Sequence, residues 1–222
     1  MVVICVSVPA TTTAEAIEDI RLLQRPDMVE LRLDYAAEHI NLDRLRASTG
    51  AALVATARLP GHGGRWAGGV VERQRLLLSA AEAGFEYVDA EADSACLGEL
   101  VAAAHDRGAS VVVSRHFADG TPKLSEALAV HGEAKAAGAD VVKVVGTAMS
   151  PADNLPCLEY LGREPGNVGF AMGALGVPSR VLSPLMGGAW TYASSAGGRG
   201  VAPGQMTLAD LRETYRLMGV AA

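Results

Sequence analysis

The sequence alternates short apolar, β-branched runs with longer stretches of helical periodicity, and this alternation restricts the fold more than any other feature. Strands are predicted at residues 2–8, 28–34, 52–58, 87–92, 110–116, 141–147, 168–173 and 190–195. Helices are predicted at residues 14–24, 43–47, 70–83, 95–107, 124–137, 152–161, 180–186 and 208–218. Strands that alternate with helices form a parallel sheet. Eight such units in 222 residues favour an α/β fold of the (β/α)₈ TIM barrel type, a single catalytic domain over residues 1–222, over an open doubly wound sheet.

Composition excludes several classes of partner. The formal net charge of −6 argues against nucleic acid, whose backbone requires a basic surface. No run of about 18 apolar residues is present that could span a membrane. The N-terminal residues lack the basic start and long apolar core of a signal peptide. Three widely spaced cysteines predict neither a disulfide framework nor a zinc site, so we expect reduced thiols and a cytoplasmic protein.

The second predicted strand carries charged side chains on one face. Glu30, Arg32 and Asp34 alternate with apolar residues, so strand periodicity places all three on the same side. Both faces of a barrel strand are covered, and a charged inner row is costly unless the charges pair or bind a ligand. The pattern therefore predicts a binding site, with a structural ion pair as the alternative.

The sixth predicted strand contains one of only three lysines, with two valines on each side. Lys143 lies within Val141-Val142-Lys143-Val144-Val145. Burial frees the lone pair of a lysine for attack on a carbonyl group, which favours a Schiff-base role. A snorkelling lysine, or a partner for an inner carboxylate, is the alternative.

Further polar residues fall where other predicted strands end. His116 ends the fifth strand, one strand away from Lys143, where a neutral imidazole can transfer protons. Arg58 ends the third strand, Arg180 follows the seventh, and Gln205 lies in the last loop. Arginine is suited to bidentate binding of a carboxylate. The histidines have no metal-ligand spacing, so no metal or other cofactor is expected.

Taken in order along the strands, these motifs resemble those of the type I 3-dehydroquinate dehydratase family of the shikimate pathway. The resemblance covers nearly the whole chain. The matching pieces are Glu30-x-Arg32-x-Asp34, Thr56-x-Arg58 with a following Gly-Gly, Ser114-x-His116, Lys143 in its apolar strand, Met172-Gly173 with Ser179-Arg180, and Ala202-Pro203-Gly204-Gln205.

The resemblance implies a cytoplasmic homodimeric lyase that converts 3-dehydroquinate to 3-dehydroshikimate, the third step of the shikimate pathway to chorismate and the aromatic amino acids. It implies that Lys143 forms the imine with the substrate ketone and that His116 is the general base and acid. Arg180 would hold the substrate carboxylate. The remaining substrate-binding residues would be Ser7, Glu30, Arg32, Arg58 and Gln205.

Two positions depart from the family pattern. His62 stands where the family usually has a glutamate that helps to orient the catalytic imidazole, and Asp89 or Glu91 could substitute for it. Val201 stands where the family often has a serine.

Two other functions remain as alternatives. One is a class I aldolase-type Schiff-base barrel acting on a phosphorylated sugar, with Gly197-Gly198-Arg199-Gly200 as its phosphate loop. Pro203 and the late start of the last helix argue against this. The other is a catalytically silent ligand-binding barrel.

Overall fold

The computed structural model describes residues 1–195 and 202–221. Its eight strands are β1 (Ile4–Pro9), β2 (Met28–Arg32), β3 (Ala52–Thr56), β4 (Tyr87–Glu91), β5 (Ser110–His116), β6 (Val141–Thr147), β7 (Val168–Met172) and β8 (Thr191–Ser194). All the ladders are parallel, in the order β7-β6-β5-β4-β3-β2-β1-β8. The strands curve into a nearly closed (β/α)₈ TIM barrel, which confirms the predicted fold class.

A helix follows each strand. The eight are α1 (Thr13–Leu22), α2 (Leu42–Ala47), α3 (Val70–Glu82), α4 (Leu97–His105), α5 (Leu124–Ala136), α6 (Asn154–Arg163), α7 (Val177–Leu182) and α8 (Leu208–Leu217). Thr12 caps α1 by accepting the Glu15 amide at 3.1 Å. Gly84, Gly108 and Gly138 adopt the left-handed conformation after α3, α4 and α5, where glycine has no Cβ to clash.

Many of the predicted element boundaries differ from the observed ones by one or two residues. The strand predicted at residues 52–58 ends at Thr56, so Arg58 lies in the loop after β3 and does not end the strand. Two further differences have a clear physical cause. The strand predicted to run to residue 34 ends at Arg32, because the chain turns into a 3₁₀ segment over Leu33–Tyr35. The helix predicted at residues 180–186 is α7, which starts earlier, with Pro178 in its first turn, and then tightens to a 3₁₀ segment over Ser183–Met186. Proline has no amide proton to donate and is therefore well placed at a helix start.

The core has two parts. Alternate strand residues face the helices and bury the larger apolar cluster with them. The other residues face the barrel axis, where Cys5, Met28, Val54, Val112 and Trp190 are among those that form an apolar plug. Towards the carboxyl ends of the strands the inward residues become polar, so the charged groups lie above a rigid floor. No helix in residues 1–195 and 202–221 is long and apolar enough to cross a membrane.

Candidate active site

A cavity of about 150 Å³ opens at the carboxyl ends of the strands. Its walls include all eight residues that were predicted from the sequence: Ser7, Glu30, Arg32, Arg58, His116, Lys143, Arg180 and Gln205. The remaining lining residues are His62, Gly63, Val145, Phe170, Met172, Tyr192, Ala202 and Pro203. Residues from β1 to the loop after β8 therefore converge on one space.

Lys143 points into the barrel and its amino group lies between two carboxylates. Its Nζ is 3.2 Å from Glu30 Oε1 and 3.4 Å from Asp89 Oδ2. The same nitrogen lies 4.1 Å from the centre of the Tyr192 ring. The neighbouring valines 142 and 144 face the helices instead. The lysine is buried, as predicted, and Val141 and Val145 share its inward face. Its contacts with two carboxylates also match the alternative that the sequence left open, a partner for an inner carboxylate.

Glu30 links Lys143 to the first and last strands. Ser7 Oγ donates to Glu30 Oε2 at 2.8 Å, and Thr56 Oγ1 donates to Oε1 at 3.2 Å. Gln205 Nε2 donates to Ser7 Oγ at 3.3 Å. Burial would raise the pKa of Glu30, but Lys143 and then Arg32 outweigh burial and lower it. Glu30 is thus a fixed anion with hydroxyl groups around it.

Arg58 is held by the carboxylates of β4. It donates to Asp89 at 2.6 Å and to Ser114 at 2.5 Å, and Ser114 in turn donates to Asp89 at 2.6 Å. Glu91 lies 3.6 Å from Arg58 and also pairs with Arg73. Burial would lower the pKa of Arg58, but the two carboxylates outweigh burial and raise it. Burial would raise the pKa of Asp89, but Arg58 and then Lys143 outweigh burial and lower it.

Asp89 and Glu91 were considered from the sequence only as substitutes for a carboxylate beside His116. They do not hydrogen-bond that imidazole in the part of the chain that the structure describes, because both are engaged with arginines. Their alternation in Tyr87-Val88-Asp89-Ala90-Glu91 is the same inward charged pattern that identified Glu30 and Arg32. That pattern could have placed both side chains inside the barrel.

Arg32 is oriented by its neighbour along the chain. Its Nε and Nη2 donate to the two oxygens of Asp34 at 2.8 and 2.7 Å. Asp34 also accepts the amide of Arg65 at 2.9 Å. The structural ion pair that the sequence left as an alternative is therefore present, and it holds the Arg32 guanidinium at the cavity wall.

His116 is half-buried at the end of β5, and its Nδ1 is buried without a hydrogen-bond partner among the described residues. Burial lowers the pKa of His116 well below its usual value, and the cations Arg58 and Lys143 lower it further. A neutral imidazole with a free lone pair is what a general base requires.

Arg180 differs from the other buried arginines. It is 1 % exposed, and within residues 1–195 and 202–221 its Nε and Nη1 have no partner. Its Nη2 donates to the Pro203 carbonyl at 3.2 Å, and its guanidinium lies 4.3 Å from the Phe170 ring centre. Burial lowers the pKa of Arg180 to about 10. A buried cation without a carboxylate in a cavity wall is suited to an anionic ligand.

His62 also lines the cavity, and its Nε2 lies 3.1 Å from Asp93. Val201 and the phosphate loop suggested at residues 197–200 lie outside the described residues. Within the described residues, no three His, Cys, Asp or Glu side chains are grouped to hold a metal ion.

The cavity as a whole can bind a small molecule that carries hydroxyl groups and a carboxylate. It presents to that molecule the amine of Lys143 and the neutral imidazole of His116.

Comparison with known proteins gives one consistent result. Residues 4–222 match the family model described as type I 3-dehydroquinase. A 3-dehydroquinate dehydratase of Dehalococcoides mccartyi is 37% identical over 189 residues, covering 84% of each chain. One of Methanothermobacter thermautotrophicus is 35% identical over 220 residues, covering 97% of this chain and 96% of the relative. The crystal structure of the Geobacillus kaustophilus 3-dehydroquinate dehydratase superposes with a TM-score of 0.88 at 28% identity, covering 99% of this chain and 91% of that one.

Proposed function

Because the chain belongs to the type I 3-dehydroquinase family and dehydrates 3-dehydroquinate in the shikimate pathway, we propose that its cavity performs this hydro-lyase reaction through an imine on Lys143. The observation that carries the proposal is the placement of Lys143 Nζ. It lies between Glu30 and Asp89, in the cavity that His116 and Arg180 also line. An amine, a neutral base and an anion-binding group therefore surround one small-molecule site.

The two carboxylates have a defined part in the reaction. Lys143 releases its ammonium proton to water and adds as a free amine to the C3 ketone of the substrate. The carbinolamine oxygen then takes up a proton and leaves as water, which gives a protonated imine. The positive charge of that imine lies where the ammonium was, so Glu30 and Asp89 stabilise it without rearranging. The iminium withdraws electrons from C2 and makes its proton acidic.

His116 then serves twice. Its neutral ring removes the C2 proton, and the electron pair forms an enamine. The enamine expels the C1 hydroxyl, which the imidazolium protonates, so that water is released. Hydrolysis of the imine returns Lys143 and gives 3-dehydroshikimate. No redox partner is required, because the imine is the electron sink.

The other polar residues position the substrate. Arg180 is the group best suited to the carboxylate, since its guanidinium has unpaired donors in the described structure. Ser7, Glu30, Arg32, Arg58 and Gln205 lie where they can bind the ring hydroxyls and carboxylate. Because these residues hold the substrate in one orientation, less entropy is lost when the bound substrate reaches the transition state. From the resemblance of its motifs, we also propose that the chain acts as a cytoplasmic homodimer. Light scattering, which measures molecular mass in solution, would test the dimer.

Trapping with borohydride tests the role of Lys143. With 3-dehydroquinate present, reduction should fix one adduct to the wild-type protein and to the matched control Lys135→Ala. Lys135 lies on α5, and its amino group donates to the Ala139 and Asp140 carbonyls in the turn before β6. Lys143→Ala should gain no mass. His116→Ala should still be trapped while turning over about 10²–10⁴-fold more slowly, because imine formation precedes proton transfer. Intact-protein mass spectrometry distinguishes these results, and an adduct on Lys143→Ala would refute the assignment.

A further inference from the structure

His62 forms a side-chain contact with His116 that the mechanism above does not use. The two rings lie 6.4 Å apart between centroids, with an interplanar angle of 79°. The Nδ1 atoms of both rings are buried, and neither has a hydrogen-bond partner within residues 1–195 and 202–221. Two buried, unpartnered nitrogens on adjacent rings are unusual, because buried polar atoms are nearly always hydrogen-bonded.

The other nitrogen of His62 is already committed. Its Nε2 lies 3.1 Å from the Asp93 carboxylate, which can only accept a hydrogen bond. Neutral His62 must therefore carry its proton on Nε2, and its Nδ1 is left as an acceptor. Asp93 is held in turn by Arg115, whose Nη1 donates to Oδ2 at 2.5 Å.

The loop that carries His62 is fixed against the cavity wall. His62 ends a 3₁₀ turn over Pro60–His62. Two residues later, Gly64 lies so close to Arg58 that an added Cβ would be 2.1 Å from its carbonyl oxygen. Backbone contact this close ties the position of His62 to that of Arg58, and hence to the catalytic cavity.

From this geometry we infer that His62 is a positioning residue that sets the tautomer of His116. His62 Nδ1 accepts a hydrogen bond from His116 Nδ1–H through one bridging water molecule. The lone pair of His116 is then confined to Nε2, the only nitrogen left to act as the base. Asp93 and Arg115 complete the chain of groups that orients the imidazole.

This role differs in charge from that of an orienting carboxylate. A carboxylate would stabilise the imidazolium form of His116 as well as orient it. A neutral imidazole orients the ring and supplies no negative charge, which agrees with a catalytic histidine held in its neutral form by burial and by Arg58 and Lys143. The expected effect on kcat rests on the proposed function. The tautomer of His116 does not, because it is a property of the protein without substrate.

The kinetic test compares three variants on 3-dehydroquinate. His62→Ala removes the acceptor and should lower kcat about 10- to 100-fold, which is the usual loss when the hydrogen-bond partner of a metal-ligating histidine is removed. KM should change less than about threefold. His62→Gln keeps a carbonyl oxygen as acceptor and should recover most of the loss. The matched control is His105→Ala, which breaks a similar histidine–aspartate pair on the outer surface and should leave both constants unchanged.

Nitrogen-15 NMR of the wild-type protein without substrate gives the second readout. The His116 ring should show a protonated Nδ1 and an unprotonated Nε2 at neutral pH, and His62→Ala should give a mixture of tautomers. A proton on Nε2 of wild-type His116, or an unchanged kcat in His62→Ala, would overturn the inference. If wild-type protein had no dehydratase activity but showed the expected tautomer, the proposed function would fail and the inference would stand.

Discussion

At the scale of single residues, the environment of His116 decides the pH at which this protein works. Burial is the largest influence that lowers its pKa well below the usual value, followed by the charges of Arg58 and Lys143. Asp89 opposes them. A base is active when unprotonated, so a lowered pKa extends activity into acid and leaves neutral activity intact.

We therefore expect kcat, which reports the enzyme after Lys143 has formed the imine, to change little between pH 7.5 and pH 5.5. An ordinary histidine, with a pKa of about 6.5, would be only about 10% unprotonated at the lower pH and would lose roughly 90% of the rate. The measurement is the pH dependence of kcat at saturating 3-dehydroquinate, with His105→Ala as the control for a surface histidine. A half-maximal rate at pH 6.5 or above would show that His116 is not shielded as the structure indicates.

At the scale of elements, residues 202–205, which precede α8, pack closely against the loop after β7. Gly204 has φ +76, and a Cβ added there would lie 2.3 Å from the Gly173 carbonyl oxygen. The Gly173 amide also donates to the Pro203 carbonyl at 3.2 Å. This contact places Gln205 against Ser7 and Pro203 against Arg180, so the two loops act as one unit of the cavity wall.

Gly204→Ala should therefore raise KM for 3-dehydroquinate about tenfold or more. The left-handed backbone costs an L-residue roughly 1–2 kcal/mol, and the clash with Gly173 adds to it, so the loop must shift and carry Gln205 with it. Gly162→Ala is the matched control: this glycine lies inside α6 with nothing within 4 Å of an added Cβ, so KM should not change. Steady-state kinetics decides the matter, and a Gly204→Ala enzyme with normal KM would show that the loop is adaptable.

At the scale of the whole molecule, the buried cations inside the barrel differ in whether a carboxylate compensates their charge. Lys143 compensates Glu30 and Asp89, and Arg58 compensates Asp89 and Glu91. Arg180 has no carboxylate among the described residues. Removing one member of a buried ion pair leaves the other charge buried without a partner, which lowers stability. Removing a buried charge that has no partner removes the free-energy cost of its desolvation.

The two substitutions Lys143→Met and Arg180→Met should accordingly have opposite effects on stability although both impair turnover. Lys143→Met should lower the free energy of unfolding by about 3 kcal/mol, the typical cost of breaking a buried pair. Arg180→Met should equal or exceed the wild type. Urea denaturation at pH 7 compares them, with Lys135→Met as the surface control. Equal losses in both variants would contradict the distinction between paired and unpaired cations.

The sequence by itself determined the barrel and most of its site. Apolar periodicity fixed eight strands and eight helices, because each element must bury one face. In a parallel barrel the carboxyl ends of all strands lie at one end. Residues as distant as Arg58 and Arg180 could therefore be expected at the same end of the barrel. The resemblance of the motifs to a known family added Ser7 and Gln205 to the site before their 3.3 Å contact was known.

Only the tertiary structure decided which charges pair. Glu30 and Lys143 are 113 positions apart, and no local pattern states that their side chains meet. For the same reason the sequence could not show that Asp89 and Glu91 serve arginines, or that His62 rather than a carboxylate lies beside His116. Periodicity records which way a side chain points, whereas pairing depends on distances across the barrel that arise only when all eight strands are in register.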